Sequence, residues 1–408
     1  MKVLLLHQNF PGQFRYLARS LTADSTCEAR AVGLDSATGL PGVPLLRYRP
    51  TRAPARQAHG YLRTLENAVL HGQQVARLLL QQRRKGYRPD VILAHPGWGE
   101  TLFVKDVFPD VPLIHFCEFY YQHRGADAGF DPEFPSTLDD SARLRLRNTL
   151  HLLNLEQCDL GITPTHWQHS LHPEAYRGKI RIAHEGVPVD ELRPDPQASL
   201  VLPCGRQLRA GQPVVTYVAR NLEPYRGFHS FMRSLPAILA ANPHAQVLVV
   251  GGDGCSYGAP PRDTANWRSK LLEEVSLDPE RVHFLGKVPY ATYRRVLQVS
   301  AAHVYLTYPF VLSWSLLEAM ASGCLVVGSD TAPVREVIED GRNGYLVDFF
   351  CAQSIAERVL AALEQPASQQ QLRDAARLTA QRYSVTAGLE AYRQLLADAL
   401  EGRAVAAR

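Results

Sequence analysis

The stretch that decides the fold is residues 303–330, HVYLTYPFVLSWSLLEAMASGCLVVGSD. The apolar run His303–Tyr308 reads as a strand that ends in a turn at Pro309. Helical spacing over Trp314–Ser322 stops at Gly323, and Leu325–Val327 starts a second apolar strand. A strand, a helix and a strand in that order make a βαβ unit with parallel strands. Its helix carries a single carboxylate, Glu318, expected in the first turn. Free N–H groups and aligned peptide dipoles make helix N-termini anion sites. A carboxylate beside such a site would hold the hydroxyls of a phosphorylated ligand. The alternative is a capping box, in which Ser315 and Glu318 only satisfy the helix start.

Outward from this unit the alternation continues in both directions. Before it come strands at Val214–Val218, Gln246–Val250 and Val282–Leu285, with helical patterns at Gly227–Ala241, Trp267–Val275 and Tyr290–Val299. After it come helices near Ala352–Leu363, Ser368–Arg382 and Val385–Leu400. The first half repeats the scheme with strands at Val3–Leu6, Ala29–Val32, Leu45–Tyr48, Val91–Ala94, Leu113–Cys117, Leu160–Thr163 and Ile180–Ala183. Strands separated by helices call for an α/β fold, parallel sheets covered on both faces. Between the halves, Pro188–Pro213 carries three further prolines and two glycines without periodicity and reads as a linker. Two α/β halves imply a cleft, with ligands outside the carboxyl ends of the strands.

Composition narrows the class. The 408 residues are 46% hydrophobic and 21% charged, as in a soluble globular protein of two or three domains. A net charge of +4 does not call for nucleic acid. Seven scattered cysteines with no C-x-x-C argue against a disulfide framework or zinc ribbon and for a reducing cytoplasm. MKVLLLHQNF has too short an apolar run for a signal peptide. The uncharged stretch Val299–Leu317 is broken by Pro309 and polar residues, so it reads as buried strand and helix, not a membrane span.

Several residues could carry chemistry. Gly12 follows the first strand and would let backbone approach a phosphate, or simply make a turn. Arg220 closes a strand and Arg226 precedes Gly227 and a helix. Two guanidinium groups at a sheet edge suit a pyrophosphate, unless Arg226 pairs with Glu223. No GxGxxG or GxxxxGK[ST] motif occurs, against a dehydrogenase or ATPase.

Taken in order, the strand ending in Arg220 with Arg226-Gly227, then GGDG, FLGKVPY, LLEAMASGCLVV and SDTAPVREVI resemble family-4 retaining glycosyltransferases of the GT-B fold. HQNFPGQF, DLGITPTHWQ and IAHEGVPVDELRP extend the resemblance to the first half. The resemblance implies two Rossmann-like parallel-sheet domains facing a central cleft. These would be residues 1–190 on the acceptor side, 191–384 holding the nucleotide-sugar donor, and a helix at 385–408 returning to the first domain. It implies that Arg220 and Arg226 neutralise the donor diphosphate, with Gly12 beside it. Glu318 would hold the ribose hydroxyls, backbone N–H groups near Leu312 and Ser313 would meet phosphate or sugar, and Lys287 and Val288 would lie along the nucleobase. The family often has two glutamates, E-x7-E. Here the first place holds Phe310, or Tyr308 if the chain is aligned on the Pro-Phe pair, so no carboxylate meets the donor sugar from there.

In the first half, HFCEFYY supplies His115 and Glu118 as candidates for contacting donor sugar or acceptor, although a strand-end histidine is commonly structural. His95-Pro96-Gly97-Trp98-Gly99-Glu100 sits at another strand end, as a binding loop or a turn. His166, His169 and His172 recur at steps of three, which a metal would use only with further ligands that the spacing lacks. A solvated helix face is the expectation. Phe119–Asp140 reads as an acceptor loop, and Arg77–Arg88 as a solvated helix end that would also suit weak contact with acidic lipid. The expected activity is therefore metal-independent, retaining transfer from a nucleotide-diphosphate sugar, with no cofactor and no nucleic-acid partner. The acceptor would be a carbohydrate, lipid-linked or small molecule, and the place of action the cytoplasm or its membrane face. The rivals are a sugar-nucleotide epimerase or hydrolase, and an inactive sugar-nucleotide-binding protein.

Overall fold

A computed structural model describes residues 1–364 and 367–406. The chain divides into two compact units. Unit 1 is Met1–Gly186 with Val385–Arg408, and unit 2 is Val187–Ser384.

Unit 1 holds a seven-stranded sheet of β1 (Lys2–Leu6), β2 (Glu28–Leu34), β3 (Leu45–Tyr48), β4 (Val91–Ala94), β5 (Leu113–Phe116), β6 (Leu160–Thr163) and β7 (Ile180–Ile182). Their spatial order is β3-β2-β1-β4-β5-β6-β7, and every pair is parallel. The alternation of side chains along a strand sorts the core into two layers. Val3 and Leu5 face the layer of Phe14, Leu17 and Leu21, which also receives Tyr392, Leu395 and Leu396 of the helix Val385–Ala406. Leu4 and Leu6 face Val75 and Leu79 of the helix Arg63–Arg84. Each such leucine contributes roughly 1.5–3 kcal/mol by leaving water.

In unit 2 the segment expected as a linker is folded. It forms the antiparallel hairpin β8 (Ser199–Val201) and β9 (Gln207–Arg209). Ala198, Leu200, Leu202 and Leu208 pack there against Leu248, Val250, Val296 and Val299. Four apolar positions among prolines were enough to bury it, though too few to show a period. The main sheet contains β10 (Val214–Asn221), β11 (Gln246–Gly252), β12 (Val282–Gly286), β13 (Ala302–Tyr305), β14 (Leu325–Ser329) and β15 (Tyr345–Val347). Their order is β12-β11-β10-β13-β14-β15, again all parallel. β13 ends at Tyr305, earlier than the sequence suggests, because Leu306–Leu312 peels away as a buried loop before the helix Trp314–Ala321.

In both sheets the order reverses beside a central strand, β1 in unit 1 and β10 in unit 2. Crevices outside the strand carboxyl ends lie at such switch points.

Candidate active site

At the switch point of unit 2, Arg220 lies near the end of β10, exposed and without a hydrogen-bond or ion-pair partner among the described residues. Arg226 is almost fully buried. Its Nη1 donates to Thr307 Oγ1 at 2.8 Å and to the Val311 carbonyl at 3.1 Å. The guanidinium also lies 5.1 Å from the Tyr257 ring and 6.0 Å from Phe310. The expected alternative partner is engaged elsewhere: Glu223 accepts the backbone N–H groups of Ser256, Tyr257 and Gly258 at 2.8, 3.2 and 2.9 Å. The buried cation therefore has no carboxylate partner among the described residues. A left-handed Gly227 (φ 67°) turns the chain into the helix Phe228–Ala241, and a Cβ there would overlap Leu306. That glycine sets Arg226 against the loop that follows β13.

Around the same strand ends, Lys287 runs along Gly252, where a Cβ would sit 2.5 Å from Lys287 Cε. Val288 instead packs on the core. Tyr308 and Phe310 are buried in an aromatic cluster with Tyr225, Tyr257 and Phe349. The place of the absent glutamate is thus closed by rings.

Glu318 is not a capping residue. The helix is capped at Ser313, so Ser315 lies inside the first turn and Glu318 in the second. The carboxylate instead accepts hydrogen bonds from two tyrosines on the helix Tyr290–Gln298. Tyr293 donates at 2.6 Å and Tyr290 at 3.2 Å. Burial first, and then Glu318, hold the Tyr293 phenol well above its ordinary range, so it stays a donor. Of the backbone donors expected at the helix start, the Ser313 N–H is donated to the Tyr305 hydroxyl at 2.8 Å. The Leu312 side chain lies in the core. The Ser313 N–H is therefore not an open phosphate donor in this arrangement.

Unit 1 gathers a different set. His7 follows β1, His95 follows β4 and Glu118 lies just beyond β5. The wiring can be read from backbone donors. The Asn9 N–H donates to His7 Nδ1 at 3.0 Å, which leaves the proton of the neutral ring on Nε2. That N–H donates to Gln13 Oε1 at 2.7 Å, and Gln13 Nε2 donates to Glu118 Oε1 at 2.9 Å. The Gly97 N–H likewise donates to His95 Nδ1 at 3.1 Å, which turns a protonated Nε2 toward Glu118 Oε2, 3.4 Å away. Burial alone would raise the Glu118 pKa. The His95, His7 and Gln13 interactions outweigh it and hold the carboxylate below its ordinary range. Burial and the neighbouring His95 lower His7 to about 3. Gly12 has φ 47°, and a Cβ there would overlap the His7 imidazole, so its service is to seat that ring. Trp98 stacks on His95 with centroids 4.3 Å apart.

His115 does not join this set. It is 1% exposed inside β5, both ring nitrogens are without a partner, and burial lowers it to about 3. It is enclosed beyond the reach of a sugar. Of the three spaced histidines only His166 is exposed, so they do not form the expected solvated face. His172 is buried with Nδ1 on the Gln168 carbonyl, and His169 Nε2 meets the Arg177 carbonyl. The irregular Phe119–Ser136 segment ends at Thr137, which forms a capping box with Asp140 to start the helix Leu138–Gln157. Sequence reading missed His7, Gln13, Tyr290 and Tyr293 as site residues, and offered His95 only within a segment read as a binding loop or a turn. The signal was positional. His7 and His95 each stand directly after an apolar strand, and the two tyrosines are one helical step of three apart.

Two doubly wound units, each with its polar residues at a switch point, define the GT-B architecture. Solved structures agree over nearly the whole chain. Sucrose-phosphate synthase from Thermosynechococcus elongatus matches with a TM-score of 0.71 at 17% identity, covering 98% of this chain and 100% of its own. Anabaena HepE in complex with UDP and glucose matches at 0.69 and 17%, with the same coverage. Residues 26–192 match the model of the glycosyl transferase family 4 group, and residues 206–379 that of the glycosyl transferases group 1. The chain belongs to the family-4 glycosyltransferases. Among curated relatives, a phosphatidyl-myo-inositol mannosyltransferase of Mycolicibacterium smegmatis is 31% identical over 155 residues, 37% of this chain and 36% of its own. A D-inositol 3-phosphate glycosyltransferase of Nocardia farcinica is 29% identical over 181 residues, 42% of this chain and 37% of its own. The matched segments thus span little more than a third of these relatives' lengths. Among the described residues, no helix is long and apolar enough to cross a membrane.

Proposed function

We propose that the protein transfers a sugar, with retention of anomeric configuration and without a metal, from a nucleotide-diphosphate sugar to an acceptor hydroxyl. The observation that carries this reading is Arg226: a buried guanidinium, fixed by Thr307 and Val311, with no carboxylate among the described residues to neutralise it. A buried cation without a protein counter-ion is costly, and a diphosphate supplies the missing charge. Exposed Arg220 lies on the same strand end to take the outer phosphate oxygens. Glu318 would receive the ribose hydroxyls, and Lys287 would border the base. HepE, which shares the fold, was solved with UDP and glucose, in keeping with a nucleotide donor.

In the reaction, negative charge grows on the diphosphate as the glycosidic bond breaks. Preorganised Arg220 and Arg226 stabilise it more in the transition state than in the ground state. The departing phosphate oxygen stays on the face the acceptor attacks and takes its proton. Glu118, held ionised by Gln13 and His95, would accept a hydrogen bond from a hydroxyl of donor or acceptor. The acceptor class is a carbohydrate, a lipid-linked sugar or a small polyol. The inositol named in the relatives makes polyols the first to try.

The test begins with thermal shift against UDP-, GDP- and ADP-sugars and the bare nucleotides, because a ligand bound only by the native state raises Tm. Binding should be followed by transfer to a polyol, and Arg220→Ala should lower turnover about a hundredfold or more. Near-normal transfer by that variant refutes its role. The aromatic closure at Tyr308 and Phe310 favours a second reading, a binding protein without turnover. Nucleotide binding with neither transfer, epimerisation nor hydrolysis across the panel would select it.

A further inference from the structure

Glu318 is held by two tyrosines that differ in every respect that matters for a ligand. Tyr293 is 8% exposed, and its bond to Glu318 Oε2 is short, 2.6 Å. Tyr290 is 45% exposed, and its bond to Oε1 is long, 3.2 Å. Both stand on the helix Tyr290–Gln298, three residues apart and so on one face, with ring centroids 5.6 Å apart. Tyr290 is the first residue of that helix, where the chain is least constrained, while Tyr293 is packed among Leu297, Leu316 and Leu317. Glu318 itself is only 9% exposed. With so little of the carboxylate open, a diol that approaches it competes with the donors already there.

We propose that Tyr293 is a positioning residue that fixes the Glu318 carboxylate, and that Tyr290 is a displaceable hydroxyl that occupies the ribose place until a nucleotide enters. This rests on the reading of Glu318 as the ribose ligand. In the free protein Tyr290 satisfies Oε1. On binding, one ribose hydroxyl donates to Oε1 in its stead, and the exposed phenol returns to water. Tyr293 keeps Oε2 throughout, so the carboxylate does not need to be reoriented when the ligand arrives. The two neighbouring hydroxyls therefore act on affinity with opposite signs.

The experiment measures Kd by calorimetry for UDP, GDP and ADP and for their 2′,3′-dideoxy counterparts, on wild type, Tyr290→Phe, Tyr293→Phe and Glu318→Gln. Tyr290→Phe removes a competitor and should tighten the ribonucleotide about threefold to tenfold, with no change for the dideoxy form, which makes no diol contact. Tyr293→Phe should weaken the ribonucleotide about tenfold and leave the dideoxy form unchanged. A variant that merely loosens the fold would weaken both, which overturns the positioning role. Unchanged or weaker ribonucleotide binding by Tyr290→Phe overturns the displacement. Glu318→Gln separates the two levels. If it fails to erase the preference for ribose over dideoxyribose, or if none of the three nucleotides binds wild type, Glu318 is not the ribose ligand and the underlying reading falls. If it erases the preference and the tyrosine variants do not behave as stated, only the inference about the tyrosines falls.

Discussion

The two units share one topology but fill their switch points with opposite chemistry. Unit 1 places two histidines, a glutamine and an ionised glutamate at the ends of β1, β4 and β5. Unit 2 places two arginines, a lysine and a tyrosine-bound glutamate around β10 and its neighbours. A sheet supplies position, and the residues just past its strands supply charge. In unit 1 the Glu118 carboxylate is answered within the network, by Gln13 at 2.9 Å and by His95 3.4 Å away. In unit 2 no carboxylate pairs with Arg220 or Arg226 among the described residues, and the proposed diphosphate would answer that charge.

This contrast can be broken by experiment. The largest effect belongs to Arg226→Ala, which should weaken nucleotide-diphosphate binding by about two to three orders of magnitude, whereas Glu118→Gln should leave that binding unchanged and lower transfer. Calorimetry and a transfer assay read the two. Equal losses of binding in both variants would abolish the division of labour.

Acid should separate the units next. In unit 1, burial lowers His7, His115 and His151 to about 3 and His172 to about 4, from an ordinary 6.5. In unit 2 only His303, at about 3, and His283 are lowered. An unfolded chain takes up these protons first. The stability conferred by neutral histidines is therefore complete above about pH 6.5 and is lost as pH falls toward 3 to 4. Hydrogen exchange corrected for intrinsic rates should show unit 1 peptides losing protection at higher pH than unit 2 peptides. The reverse order would contradict the assignment.

Gly12→Ala should cost about 1–3 kcal/mol through its positive φ and the His7 overlap, lowering Tm and transfer together. Gly227→Ala should cost a similar amount but lower nucleotide affinity, because it moves Arg226. The smallest effect is expected of His115→Leu. It removes two unpartnered buried nitrogens, so stability should change by less than about 1 kcal/mol or rise. A loss of transfer by this variant would return His115 to the reaction.

The alternation of strand and helix was legible in the sequence because period-2 and period-3.6 patterns report burial directly, as with Leu4 and Leu6 against Val3 and Leu5. The hairpin at Ser199–Arg209 was not, because short apolar runs among prolines carry no period. Strand ends likewise pointed to Arg220, Arg226 and Glu118 as candidates. What each touches depends on contacts far apart in the chain: Arg226 with Thr307, Glu318 with Tyr293, Glu118 with Gln13. Spacing along the chain does not encode such meetings. His115 shows the opposite failure, since a residue near the end of a buried strand looks the same in sequence whether its ring faces solvent or core.

The helix Val385–Ala406 has a consequence for synthesis. It is translated after all of unit 2, yet Tyr392, Leu395 and Leu396 complete the layer beneath β1. At about 5–20 residues per second, the roughly two hundred residues between Gly186 and Val385 take about 10–40 s to make. During that interval the layer over the nascent N-terminal sheet has Phe14, Leu17 and Leu21 but lacks the last helix, while unit 2 has every segment it needs as soon as it leaves the ribosome. The second unit is thus free to mature first, and the growing first unit is the natural client of a chaperone. A premature stop near codon 385 would damage the opposite end of the gene product more than the end it removes.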